Sequence, residues 1–208
     1  LTAKKYLNSA GRESLFKFIG SAKFMDVVVS IMGGRPTFMN TQLFFDPVNE
    51  GQRNYWHRDP QYHMSIEEQK QALLGPKVIH FRIPLVDEPG VELIAGTHKR
   101  WDKDDELDVR LERNGRKNYE NLSTGKAVKL DAGDLLIFSA NMIHRGIYGM
   151  DRMSLDILFC DSVPDLVKFV DSNCLPDSDI LERLENADAF KSAIEIKTNN
   201  KNMHTTSA

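Results

Sequence analysis

The chain has 208 residues, of which 41% are hydrophobic and 27% charged, the balance of an ordinary globular protein rather than a disordered or fibrous one. Its formal net charge of -3 gives no electrostatic basis for binding nucleic acid. Basic pairs such as Lys99-Arg100 are too short to change that. No apolar run approaches the roughly 20 residues that a membrane crossing needs, so no membrane role is expected.

A chain of this length can bury a stable core without disulfides, and residues 1–208 read as a single domain. The two cysteines, Cys160 and Cys174, lack the spacing of a metal-binding pair and read as reduced thiols. The expected location is the cytoplasm. That expectation takes no support from the N-terminus, because the chain opens on Leu1 rather than Met.

From Leu1 to about Val29, helix formers carry apolar residues at helical spacing: Leu15, Phe18, Ile19 and Ala22. Gly33-Gly34 and Pro36 then break the pattern. Strands are expected over Phe38–Phe45, Val78–Val86, Val91–Ala95, Ala127–Leu130, Leu135–Phe138 and Met153–Phe159, divided by turns such as Asp87-Glu88-Pro89-Gly90. Ser65 and Glu68 have capping-box spacing, which predicts a helix from Ser65 to about Leu74. Residues 100–126 are long and highly charged, as expected of a lid or mobile loop. A further amphipathic helix is expected over about Ser178–Ile196, then a frayed tail over 198–208. Short strands between Gly, Pro and Asp turns point to a mainly β fold, a sandwich or barrel with flanking helices over 1–30 and 164–197 and a core over about 38–160.

Trp56-His57-Arg58-Asp59 carries the chemistry. In extended backbone, side chains two apart point to the same side, so His57 and Asp59 can converge while Trp56 and Arg58 face elsewhere. His144 follows the apolar strand 135–138, at a separation of 144 − 57 = 87 residues. Two imidazoles and one carboxylate on one face of an octahedral ion leave positions open for substrates, the ligand set of non-haem Fe(II) oxygenases. An H-x-D triplet alone is a weak signal.

Three blocks together are more specific: Trp56-His57-Arg58-Asp59; Glu92-Leu93-Ile94-Ala95-Gly96-Thr97-His98-Lys99; and Gly133-Asp134-Leu135-Leu136-Ile137-Phe138 followed by His144. In this order the chain resembles the phytanoyl-CoA dioxygenase-like family of Fe(II)/2-oxoglutarate oxygenases. The resemblance implies a double-stranded β-helix, the cupin-like jelly roll, with Fe(II), 2-oxoglutarate and O2 as cofactor and co-substrates. It further implies that Arg152 and Ser154, an Arg-x-Ser pair, hold the distal carboxylate of 2-oxoglutarate. An arginine suits this because its planar fork meets a carboxylate through two hydrogen bonds. The interval from His144 to Arg152, 152 − 144 = 8 residues, is shorter than the family's usual one.

Arg152, Ser154 and Asp156 share one strand face, against the apolar face of Met153, Leu155, Ile157 and Phe159. The same parity makes Asn40 with Gln42 candidate contacts to co-substrate or substrate, and His80 with Arg82 weaker ones. His98, Trp56 and Trp101 read as structural, and Arg145 is expected to point away from the metal. The expected activity is hydroxylation of a small organic substrate with release of succinate and CO2. The presence of Asp59 favours it over halogenation, in which a halide takes the place of the carboxylate. The competing readings are a Zn or Mn isomerase or hydrolase on a jelly roll, and a non-catalytic metal- or ligand-binding protein. The identity of the substrate and the oligomeric state are not legible in the sequence.

Overall fold

A computed structural model describes residues 1–49 and 51–205, with side chains to residue 200. In chain order the elements are α1 (Ser9–Ile19), α2 (Ala22–Met32), β1 (Pro36–Phe45), α3 (Ile66–Ala72), β2 (Val78–Pro84), β3 (Glu88–Leu93), α4 (Asp104–Arg110), β4 (Lys126–Leu130), β5 (Leu136–Ser139), β6 (His144–Gly146), β7 (Met153–Asp161), α5 (Pro164–Val167), α6 (Ser178–Leu181) and α7 (Asp188–Thr205). Single 3-10 turns occupy Asp59–Tyr62, Thr97–Lys99 and Ser172–Cys174. One sheet has the order β1-β7-β2-β5 and the other β4-β3-β6.

The chain divides into two compact units, Leu1–Gln42 with Ile157–Ala208, and Leu43–Asp156. In the first unit the core is aromatic. Phe38 lies 4.9 Å from Phe190 and 5.9 Å from Phe159, and Phe16 meets Phe190 edge-on at 5.4 Å. Each such buried ring contributes on the order of 1.5–3 kcal/mol from area alone. The opening helical stretch is two helices, because Gly20 ends α1 and the Ser21 side chain caps α2 by accepting from Phe24 N. A side chain at position 20 would meet Asn186 O at 2.7 Å. Cys160 and Cys174 are free thiols.

The helix expected over Ser178–Ile196 is likewise two. Asn186 Oδ1 accepts from Asp188 N and opens a new helix there, while Asn186 N donates to Gly20 O. The backbone of α7 stays helical to Thr205. Residues 206–208 lie outside the described residues. Among the described residues no helix is long and apolar enough to cross a membrane.

The second unit positions the site. β2 runs antiparallel to β5 with His80 opposite Phe138, and β3 runs antiparallel to both β4 and β6. β3 begins at Glu88, inside the stretch expected to be a turn, and its register shifts between Glu88 and Val91. Gly90 makes this possible, with φ at 89°, because a Cβ there would collide with Val128 O. Ser65 caps α3 through the reciprocal bonds with Glu68 that its spacing predicted.

Residues 100–126 are not a free loop. They contain α4 and contribute Val109 and Leu122 to a buried cluster with Trp56, Ile94 and Ile143. Polar side chains fix the segment as well. Arg100 donates to both oxygens of Glu106, at 2.6 and 2.7 Å. Asp102 takes Arg58 and Arg110 together, with all three side chains at most 1% exposed.

Candidate metal centre

The segment Trp56–Asp59 is stitched to the turn and strand at Ala140–His144. His57 and His144 form an isolated antiparallel bridge, each N–H donating to the other's carbonyl at 3.0 Å, and Asp59 N donates to Ala140 O at 3.1 Å. The alternation expected of extended backbone holds here. Trp56 and Arg58 are buried on one side, while His57, Asp59 and His144 present ligand atoms that all lie within 4.8 Å of one another. Asp59 Oδ1 is 3.7 Å from His57 Nε2 and 3.6 Å from His144 Nε2.

The unused ring nitrogens are engaged in a matching way. His57 Nδ1 lies 3.0 Å from Tyr55 O and His144 Nδ1 lies 2.9 Å from Met142 O. A carbonyl can only accept, so each Nδ1 carries the proton and each Nε2 keeps its lone pair toward the other ligands. Burial lowers the pKa of both imidazoles, His144 to about 3 with the help of neighbouring His57. Both are therefore neutral, as metal ligation requires. Burial acts to raise the pKa of Asp59, but His80, charged and hydrogen-bonded to it, outweighs burial and holds the carboxylate ionised. His144 is buried, whereas the Asp59 side chain is 32% exposed, so solvent reaches the centre from the Asp59 side. Tyr55 and Tyr62 flank the His57 ring at 5.2 and 5.7 Å and share a hydroxyl hydrogen bond of 2.9 Å.

Arg58 points away from the centre into a buried network. Its guanidinium donates to Asp102 Oδ1 at 2.9 and 2.6 Å, and to the carbonyls of Thr97, Arg100 and Asn141. The backbone between His57 and Asp59 is thereby fixed from behind.

Arg152 and Ser154 are buried on β7 and share a neighbour that the sequence reading did not single out, Glu88. Ser154 Oγ donates to Glu88 Oε2 at 2.5 Å, and Arg152 Nε lies 3.5 Å from the same oxygen. Arg152 Nε has no hydrogen-bond partner, and its Nη1 makes only a 3.5 Å contact to Ile147 O. Burial and the nearby Arg82 lower the Arg152 pKa. Asp156, the third residue of that face, accepts from Arg82 Nε and Nη2 at 3.2 and 2.7 Å and lies 3.0 Å from His80 Nδ1. The other ring nitrogen of His80 lies 2.8 Å from Asp59 Oδ2. Burial would lower the His80 pKa, but Asp156 and Asp59 on either side raise it to about 9.

Asn40 and Gln42 lie on the first-unit part of β1. Gln42 is exposed, and Asn40 is half-buried with its Oδ1 unpartnered. Arg145 points to Glu92 and over Trp56, away from the triad as expected. The parity of His80 with Arg82 was readable in the sequence. The role of Glu88 was not, because Asp87-Glu88-Pro89-Gly90 has the composition of a turn.

Among known structures, the chain is similar to EctD from S. alaskensis with bound Fe, at 14% identity and a TM-score of 0.51, covering 74% of this chain and 54% of that one. It is also similar to AviO1 from Streptomyces viridochromogenes Tue57, at 17% identity and a TM-score of 0.51, covering 76% of this chain and 64% of that one. The chain thus spans between half and two thirds of the length of these relatives. At such identities the likeness is one of fold, a jelly roll of antiparallel sheets with flanking helices. No curated protein sequence matches. The family profile described as phytanoyl-CoA dioxygenase (PhyH) matches residues 5–147, which is more than half of the chain and includes His57, Asp59 and His144, so the chain belongs to the PhyH family of Fe(II)/2-oxoglutarate oxygenases.

Proposed function

We propose that the chain is an Fe(II)- and 2-oxoglutarate-dependent dioxygenase that hydroxylates an unactivated carbon of a small organic substrate, with release of succinate and CO2. The observation that carries this reading is the convergence of two neutral imidazoles and one ionised carboxylate, each histidine held with Nε2 free by the backbone carbonyl two residues before it. That donor set suits ferrous iron, with His57, Asp59 and His144 as ligands. Arg152 suits an anion for a separate reason. A buried guanidinium whose Nε pairs with Glu88 only at 3.5 Å and lacks a hydrogen-bond partner is costly, and a carboxylate with two oxygens would satisfy it.

When bound, the iron with its oxo-acid co-substrate supplies the oxidative chemistry. The residues of this chain do the rest. His57 and His144 remain unprotonated. Asp59 brings a negative charge and leaves no vacancy for a halide, which favours hydroxylation. Arg152 would hold the far carboxylate of the co-substrate, with Ser154 on the same face of β7 donating its hydroxyl to Glu88. Tyr55 and Tyr62 present two hydroxyls beside His57 to whatever enters from solvent. Residues 60–77 and 100–126 are the proposed specificity segments.

The test is reconstitution with Fe(II) under argon, followed by measurement of succinate formed from 2-oxoglutarate on admission of O2. Wild-type protein is expected to bind one iron and form succinate, and Asp59→Ala to lose both. Equal iron stoichiometry and turnover in Asp59→Ala would overturn the assignment.

A further inference from the structure

We propose that His80 is a positioning residue of this metal centre, holding Asp59 so that Oδ1 alone meets the ion; the inference rests on the metal reading above. The two oxygens of Asp59 face different partners. Oδ1 lies 3.7 and 3.6 Å from the two ligand imidazole nitrogens, whereas Oδ2 lies 2.8 Å from His80 Nε2.

His80 is itself immobilised. Its other nitrogen is 3.0 Å from Asp156 Oδ2, and the same oxygen accepts from Arg82 Nε and Nη2. Its ring lies flat on Phe138, with centroids 4.6 Å apart and planes within 4°. Backbone pairing of β2 with β5 places these two residues opposite one another. A buried chain therefore runs from Arg82 through Asp156 and His80 to the half-exposed Asp59.

Asp59 needs such a partner because little else restrains its side chain. It opens a 3-10 turn and is 32% exposed, and a carboxylate in that setting can rotate or chelate an ion through both oxygens. With Oδ2 engaged, one oxygen is offered, and the opposite face of an octahedral ion stays available to small molecules. The same geometry excludes His80 as a fourth ligand and as a contact to the co-substrate, since both its ring nitrogens already face carboxylates.

The test uses Co(II) as the probe, titrated into the whole chain and followed by its visible d–d absorption, which reports ligand set and geometry. His80→Phe keeps a ring over Phe138 and removes both donors. His80→Gln keeps an amide donor able to reach Asp59. The phenylalanine variant is expected to bind Co(II) about ten- to a hundredfold more weakly, with an altered spectrum, and glutamine is expected to recover most of the affinity. Wild-type affinity and spectrum in His80→Phe, or glutamine no better than phenylalanine, would overturn the proposal.

Should His80→Phe fail to fold, a structure of the wild-type chain with Co(II) decides. Oδ1 on the ion and Oδ2 on His80 is the expected arrangement. Asp59 chelating through both oxygens, or His80 turned away, overturns it. A wild-type chain that binds no Co(II) at all would instead overturn the metal centre, and the role of His80 with it.

Discussion

Asp102 offers the sharpest test of how the ligand segment is held. Its side chain is fully buried and accepts from Arg58 Nε at 2.9 Å, Arg58 Nη2 at 2.6 Å and Arg110 Nε at 2.7 Å. Asp102→Ala would leave two buried guanidinium groups without their shared anion. Each keeps some acceptors: Arg58 the carbonyls of Thr97, Arg100 and Asn141, and Arg110 the side-chain oxygens of Gln61 and Gln69. These are neutral and do not cancel the charge. Breaking one buried pair from a single side costs about 3–5 kcal/mol, against total stabilities of about 5–15 kcal/mol. The melting temperature should fall by roughly 6–20 °C, taking about 2–4 °C per kcal/mol for a chain of this size. Urea unfolding of the metal-free protein, followed by circular dichroism, measures the loss directly. Because Arg58 sits between His57 and Asp59, Co(II) affinity should fall as well. A stability loss below about 1 kcal/mol, the size expected of a surface pair, would refute the claim that this network braces the centre.

The metal-free protein should be most stable near pH 6.5. His144 has its folded pKa lowered from 6.5 to about 3, so below 6.5 the unfolded chain takes up a proton that the folded one refuses, and stability falls as pH drops. His80 is shifted the other way, from 6.5 to about 9. Its contribution is complete below 6.5 and is lost as pH rises through 9. Thermal melts between pH 4 and 9.5 check this, and a stability that rises steadily across pH 6.5 to 9 would contradict it. Gly146→Ala should weaken 2-oxoglutarate binding while leaving Co(II) binding within about threefold, because the added methyl would collide with Arg152 Nη1 and push the guanidinium aside. Displacing a charged hydrogen bond of about 1.5–3 kcal/mol predicts a roughly ten- to hundredfold higher Kd. Calorimetric titration of the Co(II)-loaded protein with 2-oxoglutarate measures it.

The candidate ligands His57 and Asp59 were legible in the sequence because their relation is local. Side chains two apart in extended backbone share a side, and His144 follows an apolar strand. The capping box at Ser65 and Glu68 is local in the same sense. Glu88 and His80 show where such legibility stops. Glu88 stands beside Pro89-Gly90, whose turn composition hides the start of β3, and only the fold brings it to Ser154 and Arg152. His80 had a readable parity, but its partners Asp59 and Asp156 are 80 − 59 = 21 and 156 − 80 = 76 residues away. The charge of residues 100–126 suggested a mobile segment. Asp102, Glu106 and Arg110 instead meet opposite charge in the interior, and side-chain type alone cannot distinguish a solvated ion from a buried pair.

The bridge between His57 and His144 also bears on how the metal leaves. It closes a loop of 87 residues, the distance counted from the two positions, and an ion bound across it acts as a reversible cross-link on that loop. Opening the clasp would separate His57 from His144 and release the ion, so a bound ion should slow the exchange of the two bridging amide protons. Saturating Co(II) should slow exchange at His57 and His144 by the factor 1 + [L]/Kd, and amides outside the clasped loop should respond less. Hydrogen exchange would then read out, residue by residue, how far the ion's grip extends through the fold.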